Sequence, residues 1–289
     1  MKMTTSIGSS AVLIEVNISM WTARKLDKKV SREIDQTKGA TEKAGNYNKN
    51  LLAGTKQLDE LKSLVGEIRN WNLTNTLPWS DIGTRLLPMS NFFKYKQQLT
   101  DYQDQFDRKV KQLIQDYPQL ISLAAFKLGD LFKREDYPPA EEIERKFNLS
   151  YTIIPVPESG DFRLDMGNEA LEELKTQYDE AYEQKVETAM SSAWSRVHTL
   201  LDSMVEKLGD PRWEEENKPN PQVYDSFVGN ALDLTSLLSS LNVTNDPDLE
   251  MVRTKIEDAI SGVTPNMIRK QNHVREQLKA KVEQLKSLV

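Results

Sequence analysis

From about Asn168 to Leu208 the chain runs without a proline or a glycine. Along that stretch Leu171, Leu174, Tyr178, Tyr182, Val186, Ala189, Ala193, Val197, Leu200, Met204 and Leu208 recur at spacings of three or four residues. That period marks one face of a continuous amphipathic helix, which at 1.5 Å per residue spans roughly 60 Å. A rod of this length overreaches a compact domain, so it has to lie against other long helices or against another copy of itself. Self-association through Leu171, Leu174, Tyr178, Tyr182, Val186, Val197, Leu200 and Met204 is therefore expected.

Most of the remaining chain also has the period of helices. Phe92, Tyr95, Leu99, Tyr102, Phe106, Val110, Leu113 and Tyr117 form one stripe over about 90–116. Pro118 is expected to restart a second helix carrying Leu120, Ala124, Leu128 and Leu131, giving an antiparallel pair that Tyr137-Pro138-Pro139 ends. Two regions have strand character instead. Val12, Ile14, Val16, Ile18 and Met20 alternate with their neighbours at a period of two. Tyr151 to Val156, a turn at 158–161 and Phe162 to Leu164 form a hairpin. The expectation is an α+β, mainly α fold: long antiparallel, coiled-coil-like helices with a small antiparallel sheet made by the N-terminal strand and that central hairpin. Gly209-Asp210-Pro211 and Lys218-Pro219-Asn220-Pro221 suggest a linker over 209–222, dividing a domain at 1–208 from helices over 223–289. The last of these helices begins at Thr264-Pro265 and carries Arg269, Lys270, Arg275, Lys279, Lys281 and Lys286.

The chemistry available is narrow. The 289 residues include no cysteine and two histidines, which removes thiolate zinc sites, thiol catalysis and any paired-histidine site within one chain. His198 sits beside Val197 and Leu200 as a helix-packing or partly exposed residue, and no catalytic triad forms around it. The acidic groups at 141–144 and 214–216 have the pattern of solvated faces or linker charge. No catalytic residue, cofactor or metal ligand is expected, and the protein is expected not to be an enzyme. The first eight residues are too polar for a secretory segment, and no uncharged apolar run approaches the ~18 residues of a membrane span.

The segment 24–56 concentrates Arg24, Lys25, Lys28, Lys29, Arg32, Lys38, Lys43, Lys49 and Lys56 in a chain of net charge −6. With Gly39, Gly45 and Gly54 among them, they suggest a mobile basic loop. The spacing fits neither a phosphate-binding P-loop nor a dinucleotide fingerprint. Arg24, Lys25, Lys28, Lys29, Arg32, Lys38, Lys43 and Lys49 are candidates for contact with nucleic acid or a protein partner. Tyr47 is the one aromatic there, too little for a base-stacking platform. Trp71, Trp79 and Arg85, around the proline-bounded run 77–88, are either partner-docking anchors or parts of an ordered loop on the core.

Several segments together resemble a family of proteins from tailed phages and integrative mobile elements that are known mainly as coil-containing. These are Asn17-Ile18-Ser19-Met20-Trp21-Thr22-Ala23-Arg24-Lys25, Gly45-Asn46-Tyr47 through Thr55, Leu77 to Pro88, Phe126 to Phe132, and Pro155-Val156-Pro157 with Gly160-Asp161-Phe162-Arg163. The resemblance covers roughly 11–208 and supplies no catalytic residues. It implies a phage or mobile-element origin, action in the bacterial host cytoplasm, and an adaptor role beside an AAA ATPase or another phage-encoded protein. Two functions are thus expected: a non-enzymatic assembly or adaptor protein acting as a helix-mediated homo-oligomer, or a DNA-metabolism accessory protein binding through 24–56 and the C-terminal basic helix.

Overall fold

The computed structural model describes residues 7–157, 168–213 and 225–289. In chain order its elements are β1 (Ala11–Ser19), β2 (Arg24–Leu26), α1 (Lys28–Thr37), β3 (Asn48–Asn50), α2 (Lys56–Asn75), β4 (Leu77–Pro78), β5 (Arg85–Pro88), α3 (Phe92–Leu128), α4 (Ala140–Glu144), β6 (Asn148–Pro155), α5 (Asn168–Leu208), α6 (Ser226–Leu241), α7 (Pro247–Ile260), α8 (Pro265–Lys270) and α9 (Asn272–Lys286). The fold is α+β and mainly helical, with a small antiparallel four-stranded sheet and a separate two-stranded one.

The larger sheet has the order β4-β5-β1-β6. β1 is the strand expected from alternation and β6 the expected second β region, begun three residues earlier at Asn148, whereas the hairpin arm expected at Phe162 to Leu164 lies outside the described residues. The hairpin that joins β1 is instead β4–β5, from the proline-bounded run. Leu13 faces Leu86, and Leu77 also faces Leu86. A strand of two residues is too short to display a period of two, so this pairing left no pattern to read. Gly83, at φ +107, closes the turn in a backbone region that other residues rarely enter.

Two compact units emerge, each with its own core. One comprises Val16–Asn72 and Lys96–Tyr151. Here α2 and α3 run antiparallel, because Tyr102 Oη donates to Glu67, Lys109 meets Glu60 and Gln57 meets Asp116 in reverse order. Leu58, Leu61 and Ile68 are buried in one cluster with Phe106, Leu113 and Tyr117. The antiparallel pair expected across Pro118 is therefore corrected: α3 continues through Pro118, and its partner is α2. A proline inside a helix costs about 3 kcal/mol through a lost donor and a clash one turn back. Continuous burial on both sides, by Leu113 and Tyr117 before it and Leu120, Ile121 and Ala124 after it, offsets that cost. Leu128 and Leu131 are half-buried past this stripe, and α3 ends at Leu128 rather than near Tyr137.

The other unit comprises Met1–Glu15, Leu73–Tyr95 and Thr152–Val289. α5 is one unbroken helix with the expected bounds. From Ala189 onward its apolar side is not left for another copy. Ala193, Val197, Leu201, Met204 and Leu208 are buried in a cluster with Leu238 of α6 and Leu278, Val282 and Leu285 of α9. The compact units do not divide at the expected 209–222 linker, since α5 and the C-terminal helices share a core. Residues 214–222 of that linker lie outside the described residues. Thr264 caps α8 as its sequence suggests, accepting from Met267 N at 3.2 Å. The single final helix expected there breaks at Gln271, whose backbone is extended.

Candidate functional site

The 24–56 segment, expected as a loop, carries regular structure on both sides of an irregular stretch at 38–47. β2 pairs antiparallel with β3, with Lys25 opposite Lys49, and α1 is inserted between them. Asp27 caps α1 by accepting from Lys29 N and Val30 N at 3.1 and 3.2 Å. The Ser31 hydroxyl donates to Asp27 O at 2.7 Å and accepts from Tyr47 N at 2.9 Å, tying the helix to the returning strand. Gly39, at φ +70, ends the helix in the left-handed conformation that glycine adopts most readily. The glycines that suggest a mobile loop thus include the stop signal of a short helix.

Beneath α1 lies a buried ionic network. Lys49 is 3% exposed, and its ammonium reaches Asp27 Oδ2 at 3.4 Å, Asp136 Oδ2, and Leu131 O at 2.9 Å. Asp136 also holds Lys25 through Oδ1 at 2.8 Å. Two carboxylates and two ammoniums balance. Backbone hydrogen bonding at Val30 holds the Asp27 carboxyl below the usual carboxylate range against the opposing effect of burial, and Lys49 adds to the lowering. Burial opposes the charge of Asp136, yet Lys25 and Lys49 outweigh it and leave that carboxyl lowered as well. Burial likewise works against the Lys49 ammonium, but Asp136 and Asp27 raise it above the usual lysine value. A lysine held protonated in this way is no nucleophile, because amine catalysis needs the opposite shift.

Over this network opens a cavity of about 700 Å³ lined by Lys25, Lys28, Lys29, Arg32, Lys49 and Lys133 against Asp27, Glu33 and Asp136. A neighbouring cavity of about 490 Å³ adds Lys43 beside Asp35 and Glu42, and shares Leu26, Lys28, Arg32 and Gln36 with the first. Of the eight cations named from sequence, Lys25, Lys28, Lys29 and Arg32 converge on the larger cavity, and Lys43 lines the smaller. Arg24 and Lys38 are exposed but line neither. Lys49 forms the buried floor, where its charge is already matched. Sequence reasoning missed Lys133, which arrives from beyond α3 with no periodic signal, and the carboxylates Asp27 and Asp136.

The other candidates serve packing. Trp71 is half-buried against Tyr102 at 5.3 Å between ring centres. Trp79 is buried edge-on to Tyr182 at 5.8 Å. Arg85 donates to Thr76 Oγ1 at 2.8 Å and to Thr76 O at 3.0 Å. On α5, Val197 and Met204 are buried, while Leu174, Tyr178, Tyr182, Val186 and Leu200 are partly so; the Leu171 side chain lies outside the description. The Tyr182 hydroxyl accepts from Ile7 N at 3.1 Å. The C-terminal basic residues are largely engaged within their own unit. Arg269 pairs with Asp225 and Lys286 with Asp202, both at 2.6 Å, and buried Arg275 lies 4.3 Å over the Trp213 ring.

Among the described residues no histidine and carboxylate cluster suits a metal ion, and no helix is long and apolar enough to cross a membrane. No protein-family profile, curated protein or solved structure matches the chain.

Proposed function

We propose that this chain is a non-enzymatic accessory protein of nucleic-acid metabolism, a binding module whose contact surface is the cationic rim of the cavity beside α1. The observation supporting this reading is the convergence of Lys25, Lys28, Lys29, Arg32 and Lys133 on one cavity of about 700 Å³ in a chain whose net charge is −6. Six cationic side chains against three acidic ones leave the lining with an excess of positive charge, and a concave surface focuses that field, so an acidic protein still attracts phosphates there. The test is fluorescence anisotropy with labelled oligonucleotides from about 50 to 200 mM salt, where affinity falls steeply as counterions are released. Binding that weakens across this range is expected; absence of binding at the lowest salt refutes the reading.

The alternative is an assembly or adaptor protein of a phage or mobile element, with an AAA ATPase among its partners. Its support is the family resemblance over 11–208 and the unbroken 41-residue length of α5. From Ala189 onward the chain's own helices bury the apolar side of α5, so on this reading another copy meets the N-terminal half of the rod. Light scattering at micromolar concentration distinguishes this reading, which requires more than a monomer.

A further inference from the structure

Resting on the binding role assigned above, we infer that the cavity receives the sugar-phosphate backbone of double-stranded nucleic acid and reads no bases. The two cavities meet along one ridge of α1, because Lys28, Arg32 and Gln36 line both. These residues follow one another at four-residue spacing, so each is displaced by roughly 6 Å along the helix axis from the last. A ridge of that kind between two adjoining hollows suits an extended ligand that presents charge repeatedly. A single small phosphate ester would occupy one hollow only.

The lining chemistry narrows the class further. Among the described residues no aromatic ring lines either cavity. Tyr47, the one aromatic of the segment, is half-buried where its backbone joins Asp27 and Ser31. Single strands are held chiefly by stacking bases on such rings together with a cationic groove, and the rings are missing from the lining. A duplex keeps its bases inside and offers phosphates outward, which is what ammonium and guanidinium groups on a fixed helix can engage. Backbone contact alone carries no sequence information.

The cations divide by role. Lys25 and Lys49 are matched by Asp136 and Asp27, and Lys29 faces Glu33 at 3.7 Å. Lys28 and Arg32 make no ion pair among the described residues, and Lys133 is exposed, influencing Asp27 only through its field. These three are the phosphate contacts. The neutral network beneath them holds α1 in place, so a phosphate meets an ordered set of donors and not a loop that must first be frozen.

The experiment measures full-length protein by anisotropy on a random-sequence DNA duplex, its separated strand and the matching RNA duplex. Three phosphate contacts on a DNA duplex give roughly a forty-fold loss of affinity between about 50 and 200 mM salt. Arg32→Ala, Lys28→Ala and Lys133→Ala each reduce that loss to roughly twelve-fold, equally for unrelated sequences. Lys38→Ala, at the C-cap of α1 and lining neither cavity, leaves it unchanged. Thermal melts of the variants matching the wild type keep a folding defect from imitating the result. The DNA and RNA duplex arms identify which duplex is bound. Tighter binding of the single strand, a sequence preference, or an unchanged salt response in all three variants overturns this inference while leaving a nucleic-acid binder. Absence of binding to any oligonucleotide overturns the proposed function itself.

Discussion

Lys49 holds the cationic surface together through electrostatic balance, and this can be tested at the level of the residue. Its ammonium is 3% exposed and its two carboxylate partners 7% and 6%. Lys49→Met leaves Asp27 and Asp136 buried with half their compensation, which costs about 3–5 kcal/mol when one member of a buried ion pair is removed. The pH profile gives a second readout. Asp27 and Asp136 titrate lower in the folded chain than the unfolded value near ~4. Their contribution is therefore complete above that value and is lost as pH falls through the folded ones. Lys49 is raised, so its contribution is complete below the unfolded value near ~10.4 and is lost as pH climbs past the folded one. Urea melts across pH should show a plateau with a fall at each end, and both falls should shrink in Lys49→Met. Equal acid sensitivity in wild type and variant would show that the network does not stabilise the fold. The basic composition of the segment was legible in the sequence. The burial of Lys49 was not, because its counter-charges come from the α1 cap and from Asp136, far along the chain.

At the scale of elements, the end of α2 shows how this fold settles groups that a helix leaves unpaired. The last carbonyls of a helix have no partner within it. Arg196 donates to Leu73 O at 2.9 Å, to Thr76 O at 2.8 Å and also to Thr74 O, while Arg85 adds a bond to Leu73 O at 3.3 Å. Burial lowers the affinity of both guanidiniums for their protons, and for Arg196 the charge of Arg85 lowers it further. The negative end of the helix dipole offsets that repulsion. Arg196→Ala should cost about 2–3 kcal/mol by urea denaturation, the range for hydrogen bonds to a charged donor. Arg196→Lys should restore little of it, because one ammonium cannot span three carbonyls. A loss under about 0.5 kcal/mol, typical of surface positions, would show that water serves these carbonyls as well. Elements with long, single-period patterns, such as α5 and the first three-quarters of α3, were legible to their ends or nearly so. What escaped was decided by partners remote in sequence: the β4–β5 hairpin is held by β1, and the run through Pro118 is held by burial on both sides.

For the molecule as a whole, the consequential finding is what covers α5. Periodicity shows that its apolar side needs cover but not whose side chains supply it, which is why another copy of the chain and the chain's own C-terminal helices were indistinguishable in the sequence. In the structure Val197, Leu201, Met204 and Leu208 are at most 3% exposed, in one cluster with Leu278, Val282 and Leu285 of α9. At about 1.5–3 kcal/mol for each large apolar side chain, uncovering these four costs as much as the entire net stability of a typical domain, about 5–15 kcal/mol. A fragment ending at Leu208, which a boundary at 209–222 would make a complete domain, should therefore fail as one. Size-exclusion chromatography with light scattering should find it associated where the full chain at equal concentration is not, and circular dichroism should show its melt broadened or displaced downward. Association confined to the fragment would mean that the rod can self-assemble only once its own cover is removed, which weakens the oligomeric reading. A monomeric fragment melting as the full chain does would mean instead that the C-terminal helices contribute nothing to the core they occupy.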